Sequence, residues 1–214
     1  MKIKILLLFI FISTRIFSQE KGIGFEYSFE IEIANKEMAE KLKENSEFQF
    51  SKSFNVFYTE KGILRFIEKS NNYIQSSIFN NKNNELIIFD SNGIVTEKSG
   101  DYNKPKIKSV NSESEGIITF KTASGIYNYY YNPEKFKINS SNYNNLGEHC
   151  FYEFIKGTGV IPEKIIYEFG IMKFIMKLIK PIELNSNEIE LLNEIVDNPN
   201  KKGIKKFINF IGGK

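Results

Sequence analysis

The chain has 214 residues, with 29 Lys and Arg, 26 Asp and Glu, one His, one Cys and no Trp. That length suits a single domain, and a 41% hydrophobic, 14% aromatic composition supplies a core and excludes wholesale disorder. One His and one Cys exclude a His/Cys zinc cage, an iron–sulfur site and a disulfide scaffold, so neither a metal nor a cofactor is expected.

The chain opens MKIKILLLFIFISTRIFSQE. Lys2 and Lys4 precede an unbroken apolar run over residues 5–12, and the small residue Ser18 follows. This is the order of a secretory signal peptide over residues 1–18, with cleavage expected after Ser18. An eight-residue apolar run is too short to span a bilayer, which takes about 20 residues. The absence of a Cys near the cut predicts that the chain is not a lipoprotein. The expected destination is the periplasm or the outside.

Cleavage changes the electrostatics. Residues 1–18 hold Lys2, Lys4 and Arg15 and no acid, so the formal charge of +3 belongs to them, and 26 bases then face 26 acids. A neutral chain with Arg65 as its one remaining arginine lacks the basic footprint of nucleic-acid binding. Cys150 is expected to be a buried small hydrophobe.

Residues 21–33, KGIGFEYSFEIEI, alternate strictly. Ile23, Phe25, Tyr27, Phe29, Ile31 and Ile33 share one face, and Gly24, Glu26, Ser28, Glu30 and Glu32 share the other. A period of two predicts a half-buried strand in an antiparallel sheet. Residues 35–45 predict a short helix capped by Asn35. Alternation returns at 48–59, with Phe48, Phe50, Phe54, Val56 and Tyr58 on one face. Glu60-Lys61-Gly62 turns the chain into a returning strand over 63–70.

Short strands are predicted at 73–79, 85–90, 94–98, 116–122, 125–131 and 135–140. The turns between them are Asn80 to Asn84 and Asp90-Ser91-Asn92-Gly93, and a polar loop spans 99–115. Two more strands are expected at 149–156 and 160–169, around Gly157-Thr158-Gly159. Residues 170–180 fit a strand or a helix, limited by Pro181. Residues 186–197 predict a helix capped by Ser186, and 201–211 a second, ended by Gly212-Gly213. The expected fold is mainly β (α+β): one domain over 19–214, an antiparallel meander or open barrel with a short N-terminal helix and two C-terminal helices.

Four features carry candidate chemistry. His149-Cys150 brings a nucleophile and a base together, but neighbours on a strand point to opposite faces, which rules out a dyad. Glu26, Glu30 and Glu32 form a carboxylate row about 7 Å apart per pair of residues, which keeps a carboxylate hydrolase as one alternative. The aromatic residues Phe25, Tyr27, Phe29, Phe50, Phe54, Tyr58 and Tyr129 are candidates to line a cavity for a lipid or another apolar small molecule. Finally, Ile204, Phe207, Ile208 and Ile211 stand at helical spacing beside Lys201, Lys202, Lys205 and Lys206. Residues 198–214 hold five Lys and no acid, and residues 183–197 hold five acids and no base. This basic helix suits an anionic membrane surface or a partner groove, with Lys201, Lys202, Lys205, Lys206 and Phe207 in contact. The competing expectation is that the two oppositely charged segments pair with each other against the sheet.

The order of signal peptide, long alternating strand, short helix, antiparallel meander and late helices resembles the LolA/LolB-like half-barrel lipoprotein carriers. The stretches NLGEHCFYEF (145–154) and IPEKIIYEFGIMKF (161–174) resemble the final strands of GLPGLI-type exported proteins. The resemblance implies an open antiparallel barrel in a bacterial envelope. It carries over no functional residue, since the GLPGLI hexapeptide and a lipobox Cys are missing. The leading expectation is an exported, non-enzymatic binding protein with an apolar cavity in a curved sheet. The alternative is an envelope interaction or membrane-surface protein acting through its Lys-rich helix.

Overall fold

The computed structural model describes residues 22–35, 37, 39–41, 52–69, 73–89, 95–99 and 104–212. Residues 1–18, expected to be a signal peptide, lie outside the described residues, as do Phe50, the turn at 90–93 and most of the expected helix at 35–45, of which residues 37 and 39–41 are helical.

The described residues build one eleven-stranded antiparallel sheet. In chain order the strands are β1 (Ile23–Ile33), β2 (Ser53–Tyr58), β3 (Gly62–Lys69), β4 (Tyr73–Asn80), β5 (Glu85–Phe89), β6 (Val95–Ser99), β7 (Ile107–Ser114), β8 (Ile117–Thr122), β9 (Ile126–Tyr130), β10 (Lys164–Phe169) and β11 (Met172–Glu183). Their spatial order is β6-β5-β4-β3-β2-β1-β11-β10-β9-β8-β7. Two meanders therefore meet at a seam between the two longest strands, and the sheet stays open, with β6 and β7 at its edges.

The seam runs from Ile23 opposite Glu183 to Ile33 opposite Met172. Glu26 pairs with Lys180 and Tyr27 with Leu178, so Ile179 is the extra residue of a bulge and is 53% exposed. Pro181 lies inside β11 rather than ending the element. Pairing with β10 stops at Lys177, so the N–H that proline lacks interrupts no ladder on that side.

The sheet is covered on both faces by helices that the chain adds late. We call the face carrying residues 140–158 the inner face. This cover holds 3-10 turns at Ser140–Tyr143 and Glu148–Cys150, followed by helix α1 (Phe151–Thr158), which Gly159 ends with a left-handed φ of 67°. Here the structure differs from the expected strand at 149–156. Phe151, Phe154 and Ile155 stand at i, i+3 and i+4, and the helix places Phe154 and Ile155 inward. The expected strand at 135–140 is irregular apart from a bridge between Lys137 and Val160, and the polar loop at 99–115 contains β7.

The outer face carries α2 (Ser186–Asp197) and α3 (Lys201–Ile211). Asn185, not Ser186, caps α2. Its side chain accepts from the Glu188 N–H at 3.1 Å while the Glu188 carboxylate accepts from the Asn185 N–H at 2.7 Å, a reciprocal capping box.

Alternation sorts β2, β3 and β4 between two cores. Phe54, Val56, Tyr58, Ile63 and Phe79 join the inner core with Phe25, Tyr27, Tyr129, Tyr143, Cys150 and Phe154. Phe57, Leu64, Phe66 and Ile78 join the outer core with Leu192, Val196, Ile204 and Phe207. Gly24 belongs to this outer side. A Cβ there would collide with the Phe57 ring, so its bare backbone makes room for the second core.

Candidate functional site

Between the inner face and its cover lies a cavity of about 450 Å³. Its wall is built from both meanders. Tyr27 and Phe29 come from β1, Phe54, Val56 and Tyr58 from β2, Tyr127 and Tyr129 from β9, Ile165 and Tyr167 from β10, and Phe174 and Met176 from β11. Leu146, Glu148, His149 and Phe151 close it from the cover.

The aromatic wall is ordered by stacking. Tyr127 lies flat on Tyr167 with centroids 4.2 Å apart and 4° between the rings. Tyr167 stacks on Phe174 at 5.8 Å, Phe174 on Phe29 at 6.2 Å, and Tyr27 on Phe54 at 5.4 Å. Offset contacts of this kind add to the energy of burial.

Tyrosine hydroxyls tie the loops to the sheet. Tyr143 donates to the Thr59 carbonyl at 2.6 Å, Tyr129 to the His149 carbonyl at 2.6 Å, and Tyr27 to the Pro162 carbonyl at 2.7 Å. Burial raises the pKa of all three phenols, so they act as neutral donors.

One end of the cavity is polar. Arg65 on β3 donates through Nη1 to Glu148 Oε2 at 3.2 Å. His149 Nε2 lies 3.4 Å from Glu148 Oε1, and the Tyr127 hydroxyl is 3.4 Å from His149 Nδ1. Burial alone would raise the Glu148 carboxyl; the Arg65 and His149 contacts outweigh it and hold the carboxyl at about 2. Burial likewise works against the Arg65 charge, and Glu148 overcomes it. His149 and Cys150 occupy successive left-handed positions, φ 57° and 63°. Each such non-glycine residue costs about 1–2 kcal/mol. The strain falls where the cover meets the polar end, and the bond from Tyr129 to the His149 carbonyl helps to hold it.

The structure brings together most of the expected cavity residues. Tyr27, Phe29, Phe54, Tyr58 and Tyr129 all line it. Phe25 does not. It packs beneath the cover, edge-on to Phe136 at 5.1 Å. Phe50 lies outside the described residues.

Phe207 is corrected from surface to core. It is fully buried, edge-on to Phe57 at 5.0 Å, so the apolar face of α3 is used inside the fold. Lys201, Lys202, Lys205 and Lys206 remain exposed. The expected pairing of the two charged helices holds in part: α2 and α3 pack together on the sheet, but the acid of α2 with a described ion pair, Asp197, meets Lys61 at 2.6 Å.

Among the carboxylate row, Glu30 and Glu32 pair with Lys177 at 3.7 Å and Lys173 at 3.3 Å on β11, on the face away from the cavity. Cys150 is buried as expected. Among the described residues no group of three or more His, Cys, Asp or Glu is placed to hold a metal ion, and no helix is long and apolar enough to cross a membrane.

Sequence reasoning missed Arg65, Glu148, Tyr167 and Phe174, and set His149 aside on the expectation of a strand at 149–156, where the structure has a 3-10 turn and a helix. A signal for Arg65 was present. It stands at the inward position of the series Ile63, Arg65, Ile67, flanked by Leu64 and Phe66.

No protein-family model matches the chain, and no curated protein matches it.

Proposed function

We propose that this chain is an exported, non-enzymatic binding protein that holds a lipid or other apolar ligand in the inner cavity. The cavity itself carries the reading. Its volume of about 450 Å³ falls within the 300–1,000 Å³ typical of small-molecule sites, and its wall is aromatic and aliphatic except at one end. A packed core of this composition fills its space, whereas here two meanders and a tethered cover hold a space open. Export rests on the order of charges and apolar residues in 1–18.

Native mass spectrometry of protein purified from its own host tests the reading, together with titration by the uncharged dye N-phenyl-1-naphthylamine. A bound mass or a saturable dye signal is expected. The mature mass alone, with no dye binding, overturns the proposal.

The exposed Lys201, Lys202, Lys205 and Lys206 support a second reading, contact with an anionic membrane surface through charge alone. Flotation with anionic liposomes tests it, and binding that survives replacement of the four lysines by Gln would sink it.

A further inference from the structure

The polar end of the cavity is balanced in charge and unbalanced in hydrogen bonding. Arg65 carries five N–H donors. Nη1 is bonded to Glu148 at 3.2 Å, and Nε is shut off from solvent without a hydrogen-bond partner. The side chain is 35% exposed and forms part of the cavity wall. Its positive charge is met by the Glu148 carboxylate, so the ion pair is neutral, while Nε has no hydrogen-bond partner and Glu148 is the one described protein acceptor of the guanidinium. Gln75 on β4 lines the same cavity.

Three kinds of ligand end behave differently there. A purely hydrocarbon end would desolvate the guanidinium donors without replacing their water. An ionised end would bring an unmatched charge into an aromatic and aliphatic pocket, which is costly. An uncharged carbonyl oxygen supplies an acceptor and adds no charge.

Resting on the reading that an apolar ligand occupies the cavity, we propose that this ligand carries an un-ionised carbonyl (ester, amide or ketone) at one end, and that Arg65 donates to that oxygen. The hydrocarbon remainder then lies along Tyr127, Tyr167, Phe174 and Phe29.

The test uses three probes of one chain length, methyl decanoate, decanoate at pH 8 and decane, each displacing N-phenyl-1-naphthylamine from the full mature protein. The wild type is expected to bind the ester about tenfold more tightly than either of the others, the worth of one hydrogen bond to a charged group. The double variant Arg65→Met, Glu148→Met removes both charges together. It is expected to lose the preference for the ester, with decane bound at least as tightly as by the wild type because no guanidinium is left to desolvate.

Equal binding of the three probes, tighter binding of decanoate, or an ester preference that survives in the double variant overturns the carbonyl proposal and leaves the apolar-ligand reading standing. Failure of every probe to bind overturns both. If melting curves show the double variant unfolded, Arg65→Lys decides, since it keeps the charge and loses the planar fork. A preference reduced severalfold supports the proposal, and an unchanged one overturns it.

Discussion

The guanidinium of Arg65 donates to the carboxylate of Glu148 at 3.2 Å and so joins strand β3 to a cover segment 83 residues further along the chain. Glu148 is 13% exposed and Arg65 35% exposed, so the pair is shielded on one side and open to the cavity on the other. This placement makes it a pH-sensitive fastening for the cover.

The Glu148 carboxyl falls from an ordinary 4.5 to about 2 in the folded protein. A lowered folded value gives stability that is fully present above 4.5 and is lost as pH falls toward 2. The contribution is on the order of 3 kcal/mol at most, reduced by the open side of Arg65. Glu148→Gln is expected to melt earlier than the wild type at pH 7, with the two melting temperatures converging between pH 4.5 and 2. Parallel curves over that window would show that the pair contributes nothing.

Met176 lines the cavity on β11 with its side chain partly buried. Met176→Trp is expected to fill the space and abolish dye binding, at a stability cost of about 1–3 kcal/mol from overpacking. Undiminished dye affinity in a folded variant would place the ligand elsewhere.

Tyr143 ties the cover to the β2–β3 turn through the Thr59 carbonyl at 2.6 Å. Tyr143→Phe removes that donor and leaves the Thr59 carbonyl with only its 3.3 Å bond from the Gly62 N–H, a loss of about 0.5–1.5 kcal/mol. Hydrogen exchange is expected to speed up across 140–158 more than in β1 and β11. Uniform acceleration would mean that the bond stabilises the whole fold rather than the cover.

Phe207 sits between α2, α3 and the sheet. Phe207→Ala is expected to cost about 3–5 kcal/mol, whereas Lys205→Ala stays within about 0.5 kcal/mol. Truncation at Asn198 removes Ile204, Phe207, Ile208 and Ile211 from the outer core and is expected to unfold the protein. Urea titration of the two point variants measures the difference, and equal midpoints would contradict this placement.

Cys150 is fully buried, and burial, with Glu153 behind it, pushes its thiol up to about 12. A thiol reagent at pH 8 is expected to leave the native protein unlabelled and to label it within minutes in denaturant. Rapid labelling of the native protein would show that the cover opens.

The sheet was largely legible from local pattern. The alternation in β1 named its inward residues, and Tyr27 and Phe29 do face the cavity. The hairpins announced themselves through turns such as Asn80 to Asn84. Elsewhere the pattern misled, as two cases show. In 149–156, Cys150, Tyr152 and Phe154 fit a period of two, while Phe151, Phe154 and Ile155 fit a helix, and eight residues are too few for the pattern to decide. In the first strand Gly24 read as a member of the polar face, yet Phe57 from the next strand covers it.

The sequence alone determined most of the strands and the two C-terminal amphipathic helices, because side-chain periodicity is a local property set by backbone geometry. Only the tertiary structure decided which elements cover which face, that α3 turns its apolar side inward, and that Arg65 meets Glu148. Those outcomes depend on residues far apart in the chain. Burying both faces of β2–β4 required α2 and α3 on one side and the 140–158 cover on the other. The cavity is the space left where the cover spans two meanders, a quantity that no local window of sequence contains.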